Sequence, residues 1–288
     1  MLGELFGEQV DEVNDALEND RNVVVASEPF GGRDVVVEEA LKHLDHERVT
    51  FSSVENTEDT DVPEEGVCVV KGPRYLYTRT VDGFAPLRRF VESVASSDAV
   101  VVSSWNSCAW GYVRHAADVD VLGDTVDVPN LDATETARFL ASEHDVSEFA
   151  EDLKEATSDD TAALRDRLPF GIGRLLEEAS ENVFGKVSAA SGGNPGVART
   201  LFERRTWDEE TDGIDLSYDD AFTLRVVLSK QTVRRDVLRS VVGDRSLGTT
   251  LRNLSDAGVV DTEGGEVSLR PERLVETVSH LKRRRLVW

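Results

Sequence analysis

Cysteine, lysine and long apolar runs are all scarce in this chain, and each shortage narrows the class of protein. The two cysteines, Cys68 and Cys108, stand apart in separate apolar stretches. They provide no disulfide framework, and a reduced, cytoplasmic protein is expected. The longest unbroken apolar runs, such as Ala99–Val102, fall far short of the roughly 20 residues of a membrane span. The opening residues MLGELFGEQVDEV are acidic and lack the basic n-region of a secretory leader, so neither export nor a membrane partner is expected. Of five histidines only His43 and His46 are near neighbours, with no cysteine or third ligand beside them, and no metal site is expected.

Lysine is the most telling shortage. Six of 32 basic residues are lysine, against 56 Asp and Glu, and the net charge is −24. High negative charge with little lysine suits a halophilic cytoplasm, where concentrated salt screens self-repulsion. The acid is unevenly spread. Residues 222–288 carry 13 Lys/Arg and 8 Asp/Glu, net +5, whereas the remaining 221 residues are net −29. That change of sign marks the C-terminal part as a separate module.

What the chain does contain is alternation. A helical spacing over residues 8–19 leads to the apolar strand Val23–Ala26, a Gly/Pro turn, and a helix over Asp34–Leu44. Further strands are expected at Arg48–Val54, Val67–Val70, Ala99–Ser103, Val119–Leu122 and Thr125–Val128, with helices at Phe84–Ala95 and Ala109–Ala117. Strands alternating with helices imply βαβ units on a parallel sheet. From Asp132 the pattern turns helical, opening on a capping box formed by Asp132 and Glu135. Helices are expected over Val146–Ala156, Thr161–Asp166, Gly173–Ala190 and, after the turn SGGNPG, Val197–Thr206. Three helices (Asp219–Leu228, Val233–Val242, Ser246–Ala257) then precede two short strands joined at Gly264–Gly265 and a closing helix, the order of a winged helix-turn-helix. The expected organisation is a core at 1–130, a helical lid at 131–213 and a winged helix at 219–288.

The turn VVVASEPFGGRD has the layout of a phosphate-binding loop with its chemistry replaced. A loop of the form G-x-x-x-x-G-K-[ST] needs two glycines, a lysine for the β/γ-phosphates and a hydroxyl for Mg²⁺. Here Ser27 stands for the first glycine, Gly32 for the second, Arg33 for the lysine and Asp34 for the hydroxyl. With Glu28 and Gly31, these residues still open a helix whose N-terminus favours anions.

The series VVVASEPFGGRD, VCVVKGPRYLY, VVVSSWNSCAW and SGGNPGVARTLFE, closed by a winged helix, resembles that of archaeal P-loop ATPases of the AAA+/STAND type, haloarchaeal members among them. The resemblance implies an α/β P-loop core with ATP or ADP as ligand. It places Asn106 as a sensor and Arg199 as the residue that reads the γ-phosphate. It also puts the metal-binding acids just after Val67–Val70, where this sequence has Lys71–Gly72, so Mg²⁺ and efficient hydrolysis are not expected. In the winged helix, Arg234, Arg235, Thr249, Thr250, Arg252 and Asn253 are the candidate nucleic-acid contacts. The function expected is a degenerate AAA+/STAND-like regulator or scaffold whose winged helix meets DNA or a protein. The alternatives are an active ATPase that recruits metal through Asp34, and a winged-helix transcription regulator with a structural N-terminal domain.

Overall fold

The computed structural model describes residues 3–54, 57, 60–157, 182–208 and 213–287. The expected helix at Thr161–Asp166 and the first part of that at Gly173–Ala190 lie outside the described residues. Helix α1 (Gly7–Glu18) leads to β1 (Val23–Ser27), the Gly/Pro turn and α2 (Arg33–Ala40). Strands β2 (Glu47–Thr50) and β3 (Val67–Lys71) follow, then α3 (Ala85–Ala95), β4 (Val100–Asn106), α4 (Ser107–Ala116) and β5 (Asp124–Asp127). The five strands form one sheet in the order β2-β3-β4-β1-β5, every neighbour parallel.

Parallel strands need crossovers, and here helices cover both faces, so central strands can be apolar throughout. β1 and β4 are buried along their whole length. Their side chains alternate between two cores. Val23 and Val25 pack with Val13, Val36 and Leu140 on one face, while Val24 and Ala26 pack with Leu87, Phe90 and Trp105 on the other. The α/β class with a parallel sheet is therefore the class that the alternation implied. One expected strand is different: Asp120–Leu122 is a 3₁₀ turn. Gly123, at φ 87°, then brings the chain so close to β1 that a Cβ there would lie 1.7 Å from the Asn22 carbonyl oxygen.

The helical stretch contains α5 (Ala133–Glu143), α6 (Ala150–Ala156), α7 (Val183–Ser191) and α8 (Pro195–Arg204). The Asp132 and Glu135 side chains form the capping box at the start of α5. Next come α9 (Tyr218–Lys230), β6 (Thr232–Arg234), α10 (Arg235–Val242), α11 (Asp244–Asp256), β7 (Val260–Glu263), β8 (Glu266–Leu269) and α12 (Leu274–Arg283). The last three strands make an antiparallel sheet in the order β6-β8-β7. Val233 and Arg234, expected to open a helix, belong instead to the strand Thr232–Arg234, because β8 offers a second edge on which they pair. Gly264 and Gly265 both have positive φ, the requirement of a two-residue type I′ hairpin.

Helix α9 has nine buried residues, four of them polar, and little exposed surface beyond its first turn. Its Leu224 and Leu228 share a core with Leu238, Leu247, Leu251 and Leu254, and that core continues into Val197 and Leu201 of α8. Phe30 from the Gly/Pro turn also packs against it. The C-terminal elements are thereby pressed onto the end of the parallel sheet where β1 and β4 finish.

Candidate functional site

The carboxyl ends of parallel strands are where ligands meet open α/β sheets, and β1 ends there in the turn from Ser27 to Gly32. The turn closes upon itself. Gly31 N–H donates to the Glu28 carbonyl at 2.9 Å, and the Ser27 hydroxyl donates to that same oxygen at 2.9 Å. Both glycines are sterically required: a Cβ on Gly31 would sit 2.6 Å from Ser27 Oγ, and one on Gly32 would sit 2.4 Å from the Phe6 ring. Phe6, 1% exposed, thus lies against the very backbone that a phosphate loop leaves bare.

Arg33 does not reach outwards. Its guanidinium turns back under the loop, where Nη1 donates to Ser27 Oγ at 3.1 Å and to the Glu28 carbonyl at 3.2 Å. Nη2 crosses to the C-terminal elements and donates to Gln231 Oε1 at 3.2 Å. The side chain is 4% exposed, and this burial draws the guanidinium down to about 10, Asp34 opposing the shift and Arg74 adding to it. Asp34, one residue on, accepts from Ser104 Oγ at 2.8 Å. The Glu28 carboxylate accepts from Asn130 Nδ2 at 3.0 Å.

Asn106 lies at the end of β4, as the sequence placed it, and is fully buried. Its Oδ1 caps α4 by accepting from Cys108 N and Ala109 N. Its Nδ2 donates to the Leu228 and Ser229 carbonyls at 2.9 and 3.1 Å. Arg74 Nε donates to the next carbonyl, that of Lys230, at 3.0 Å. The last turn of α9 therefore lies over the loop, with its unsatisfied carbonyls received by donors from the core. A helix C-terminus carries about half a negative charge, so the negative end of a dipole faces the loop, and it is the protein's own.

Lys230 fixes that arrangement from the other side. It is 3% exposed, its ammonium lies 3.5 Å from the Tyr77 ring centre, and Nζ donates to the Arg74 and Tyr77 carbonyls. Burial holds it well below the ordinary lysine value, and the positive charges of Arg74 and Arg79 add to the effect. Gln231 and Lys230 were missed in the sequence. The available signal was a lysine placed just after the apolar run Val226–Leu228 in a chain with few lysines.

The remaining candidates separate. Lys71, at the position of the metal-binding acid, pairs with Glu38 of α2 at 2.8 Å. Arg199 was expected to read a γ-phosphate but points away from the loop: it pairs with Glu143 and lies over the Phe139 ring. Its helix still holds the loop through its start, where Asn194 Nδ2 donates to the Pro29 carbonyl and Gly196 N to that of Phe30. Among the described residues no group of three His, Cys, Asp or Glu side chains is placed to hold a metal ion, and no helix is long and apolar enough to cross a membrane.

A second site lies between α10, α11 and the β7–β8 hairpin, where two adjoining cavities measure about 480 and 330 Å³. Arg235 borders both, and Arg252 borders the smaller. Arg234 is tied in two bonds to Asp236, and Arg239 to Asp244. Thr249 is exposed. Thr250 is buried beside the carboxyl of Asp220, and Asn253, though exposed, donates to that carboxyl from Nδ2 at 3.1 Å. Burial would raise that carboxyl, but hydrogen bonds from Ser217, Asn253 and Thr250 hold it below the usual range.

No family model and no curated protein matches the sequence. Among solved structures, the chain is similar to the Walker-type ATPase PABY2304 of Pyrococcus abyssi, with 14% identity over 94% of this chain and 95% of that one and a TM-score of 0.40. It is similar to the Aeropyrum pernix ORC1 protein, solved in complex with DNA, with 11% identity over 97% and 92% and a TM-score of 0.39. It is also similar to the Thermotoga maritima RuvB Holliday junction branch migration motor, with 13% identity over 96% and 94% and a TM-score of 0.36. Likeness at this level assigns no role to any residue.

Proposed function

We propose that this protein is a regulatory or scaffolding relative of the P-loop ATPases that neither binds nor turns over nucleotide, and whose winged-helix module at 219–288 presents the contact surface for a partner. One observation carries the reading. Arg33 and Asn106, the residues that the motif would aim at a γ-phosphate, both give their donors to the C-terminal turn of α9 and its cap. A nucleotide would have to remove an attached competitor whose carbonyls and amide already satisfy those donors. It would also have to expose Lys230 and strand several buried polar groups, each at about 1–3 kcal/mol.

Hydrolysis is further disfavoured by charge. Phosphoryl transfer depends on metal ions and positioned cations at the γ-phosphate. Lys71 occupies the acid's position and is neutralised by Glu38, while Asp34 puts a carboxylate where phosphate would sit. The fold is read here as retained for its rigidity: β1, its turn and α2 give α9 a fixed platform.

The test is a titration of the full chain with a fluorescent ATP analogue in multimolar KCl, with and without Mg²⁺, followed by a phosphate-release assay. No binding up to millimolar nucleotide is expected. Saturable, Mg²⁺-dependent binding with phosphate release would establish the active-ATPase alternative in its place.

A further inference from the structure

The groove between α10, α11 and the hairpin carries two pairs of like charges that find no ion-pair partner among the described residues. On one side are Arg235 and Arg252, both exposed. Gly248 lies on the floor of the groove beside Arg235. On the other side Glu263 and Glu266 flank the Gly264–Gly265 turn and lie directly opposite each other in the ladder. Like charges facing one another across two strands are destabilising; Glu266 also stands opposite Arg234 of β6, but that guanidinium is tied to Asp236. Their neighbours behave differently: Arg234 and Arg239 each have a carboxylate.

From this placement we infer that the groove binds a polypeptide segment carrying both signs of charge, an acidic residue seated between Arg235 and Arg252 and a basic residue set on Glu263 and Glu266. The inference rests on the reading of residues 219–288 as the contact module and names what that module contacts. A duplex fits the charges less well. Its phosphates would meet the arginines but would also be driven against three exposed carboxylates of the hairpin, Asp261, Glu263 and Glu266. Salt sharpens the distinction. At the salt that the acidic surface suits, the screening length is about 3 Å or less. Counterion release then removes most of the affinity for a polyanion, while pairs at contact distance between desolvated groups persist.

The experiment uses the full chain in multimolar KCl and an array of short synthetic peptides in which Asp/Glu and Lys/Arg positions are permuted on a fixed apolar frame. Fluorescence anisotropy gives the affinities, and circular dichroism checks that each variant is folded. Mixed-sign peptides are expected to bind and single-sign peptides to bind weakly. Affinity should fall by at least about tenfold in Arg235→Glu/Arg252→Glu, and by a similar factor in Glu263→Lys/Glu266→Lys. The quadruple variant should recover binding to a peptide with its charges interchanged, which loss of packing would not produce. Peptide binding that ignores all four charges, or no binding anywhere in the array, overturns the inference. So does duplex DNA binding that is lost in Arg235→Glu/Arg252→Glu and strengthened in Glu263→Lys/Glu266→Lys. That last result would leave the contact-module reading standing while removing the peptide, and the nucleotide titration is unaffected by any of these outcomes.

Discussion

Arg33 and Arg235 occupy equivalent local positions: each is the first residue of an eight-residue helix that follows a short strand. Both are electrostatically misplaced, since a helix N-terminus repels a cation. Their surroundings differ completely. Arg33 is buried, with its Nη1 and Nη2 donating to Ser27, the Glu28 carbonyl and Gln231. Arg235 is exposed on a groove and finds no ion-pair partner among the described residues. What separates them is the element above. The C-terminal turn of α9 meets the Arg33 side chain, whereas at the start of α10 the hairpin turn meets only the backbone, the Gly265 carbonyl accepting from Arg235 N–H, and leaves the side chain exposed. The same local motif has become a structural joint where another helix closes it and remains a surface where none does.

The largest effect should come from breaking the joint at its buried cation. Lys230→Ala strands the Arg74 and Tyr77 carbonyls and removes the stem packed on Tyr77. A loss on the order of 4 kcal/mol is expected, measured by urea denaturation at fixed KCl. Protease sensitivity around residues 213–231 should rise with it. A loss below about 1 kcal/mol would mean that Lys230 is carried by the joint and does not hold it. Asn106→Ala should cost less, about 2–3 kcal/mol, because it removes one N-cap and one donor pair. Asn106→Asp separates the two roles. The carboxylate still caps α4 but repels the Leu228 and Ser229 carbonyls, so stability should remain close to that of the alanine variant. Wild-type stability in Asn106→Asp would show that only the cap matters.

These residues also mark how far the sequence could be read. The strand–turn–helix at Val23–Ala40 was legible because alternation, a Gly/Pro turn and helical spacing are local signals. The capping box at Asp132 and Glu135 was legible for the same reason. Asn106 was found at the right place but with the wrong partner, since its Nδ2 contacts residues more than 120 positions away. No local pattern reports that separation. Thr250 and Asn253 resembled an exposed recognition surface, because the helix period places them beside Arg252. What engages them instead is a buried carboxylate on α9, with Thr250 buried beside it and Asn253 bonded to it from the surface. The strand at Thr232–Arg234 was hidden likewise, as only the edge of β8 makes three such residues a strand.

A smaller effect follows from protonation. Lys230 has its affinity for a proton reduced in the fold, from an ordinary value of 10.5. The unfolded chain therefore binds the proton more tightly. Stability should be flat below the folded-state pKa and rise with pH from there towards 10.5. Cys68 and Cys108, pushed up by burial to about 11 and about 12 from 9.0, act in the opposite sense, removing stability above about pH 9. The informative window is thus below pH 9. There, the difference in stability between wild type and Lys230→Met, which keeps the stem, should change in favour of the wild type as pH rises. A difference independent of pH would place the ammonium in a site that retains its charge.

The smallest expected effect sharpens the comparison most. Arg235→Glu, Arg252→Glu, Glu263→Lys and Glu266→Lys all change exposed side chains with no ion pair among the described residues. Each should alter stability by no more than about 0.5 kcal/mol. Glu263→Lys should lie on the stabilising side, because it replaces a like pair across the hairpin with an opposite one, whereas Glu266→Lys gains that pair but sets a lysine opposite Arg234 of β6. Charge reversal in the groove should therefore leave the melting transition almost unmoved while removing partner binding. Arg33→Glu, at the equivalent position in the joint, should unfold much of the protein, because it buries a carboxylate against the Glu28 carbonyl. If the groove variants instead destabilised the chain as strongly as the joint variants do, Arg235 and Arg252 would be structural residues like Arg33. The contrast between a closed site and an open one would then disappear.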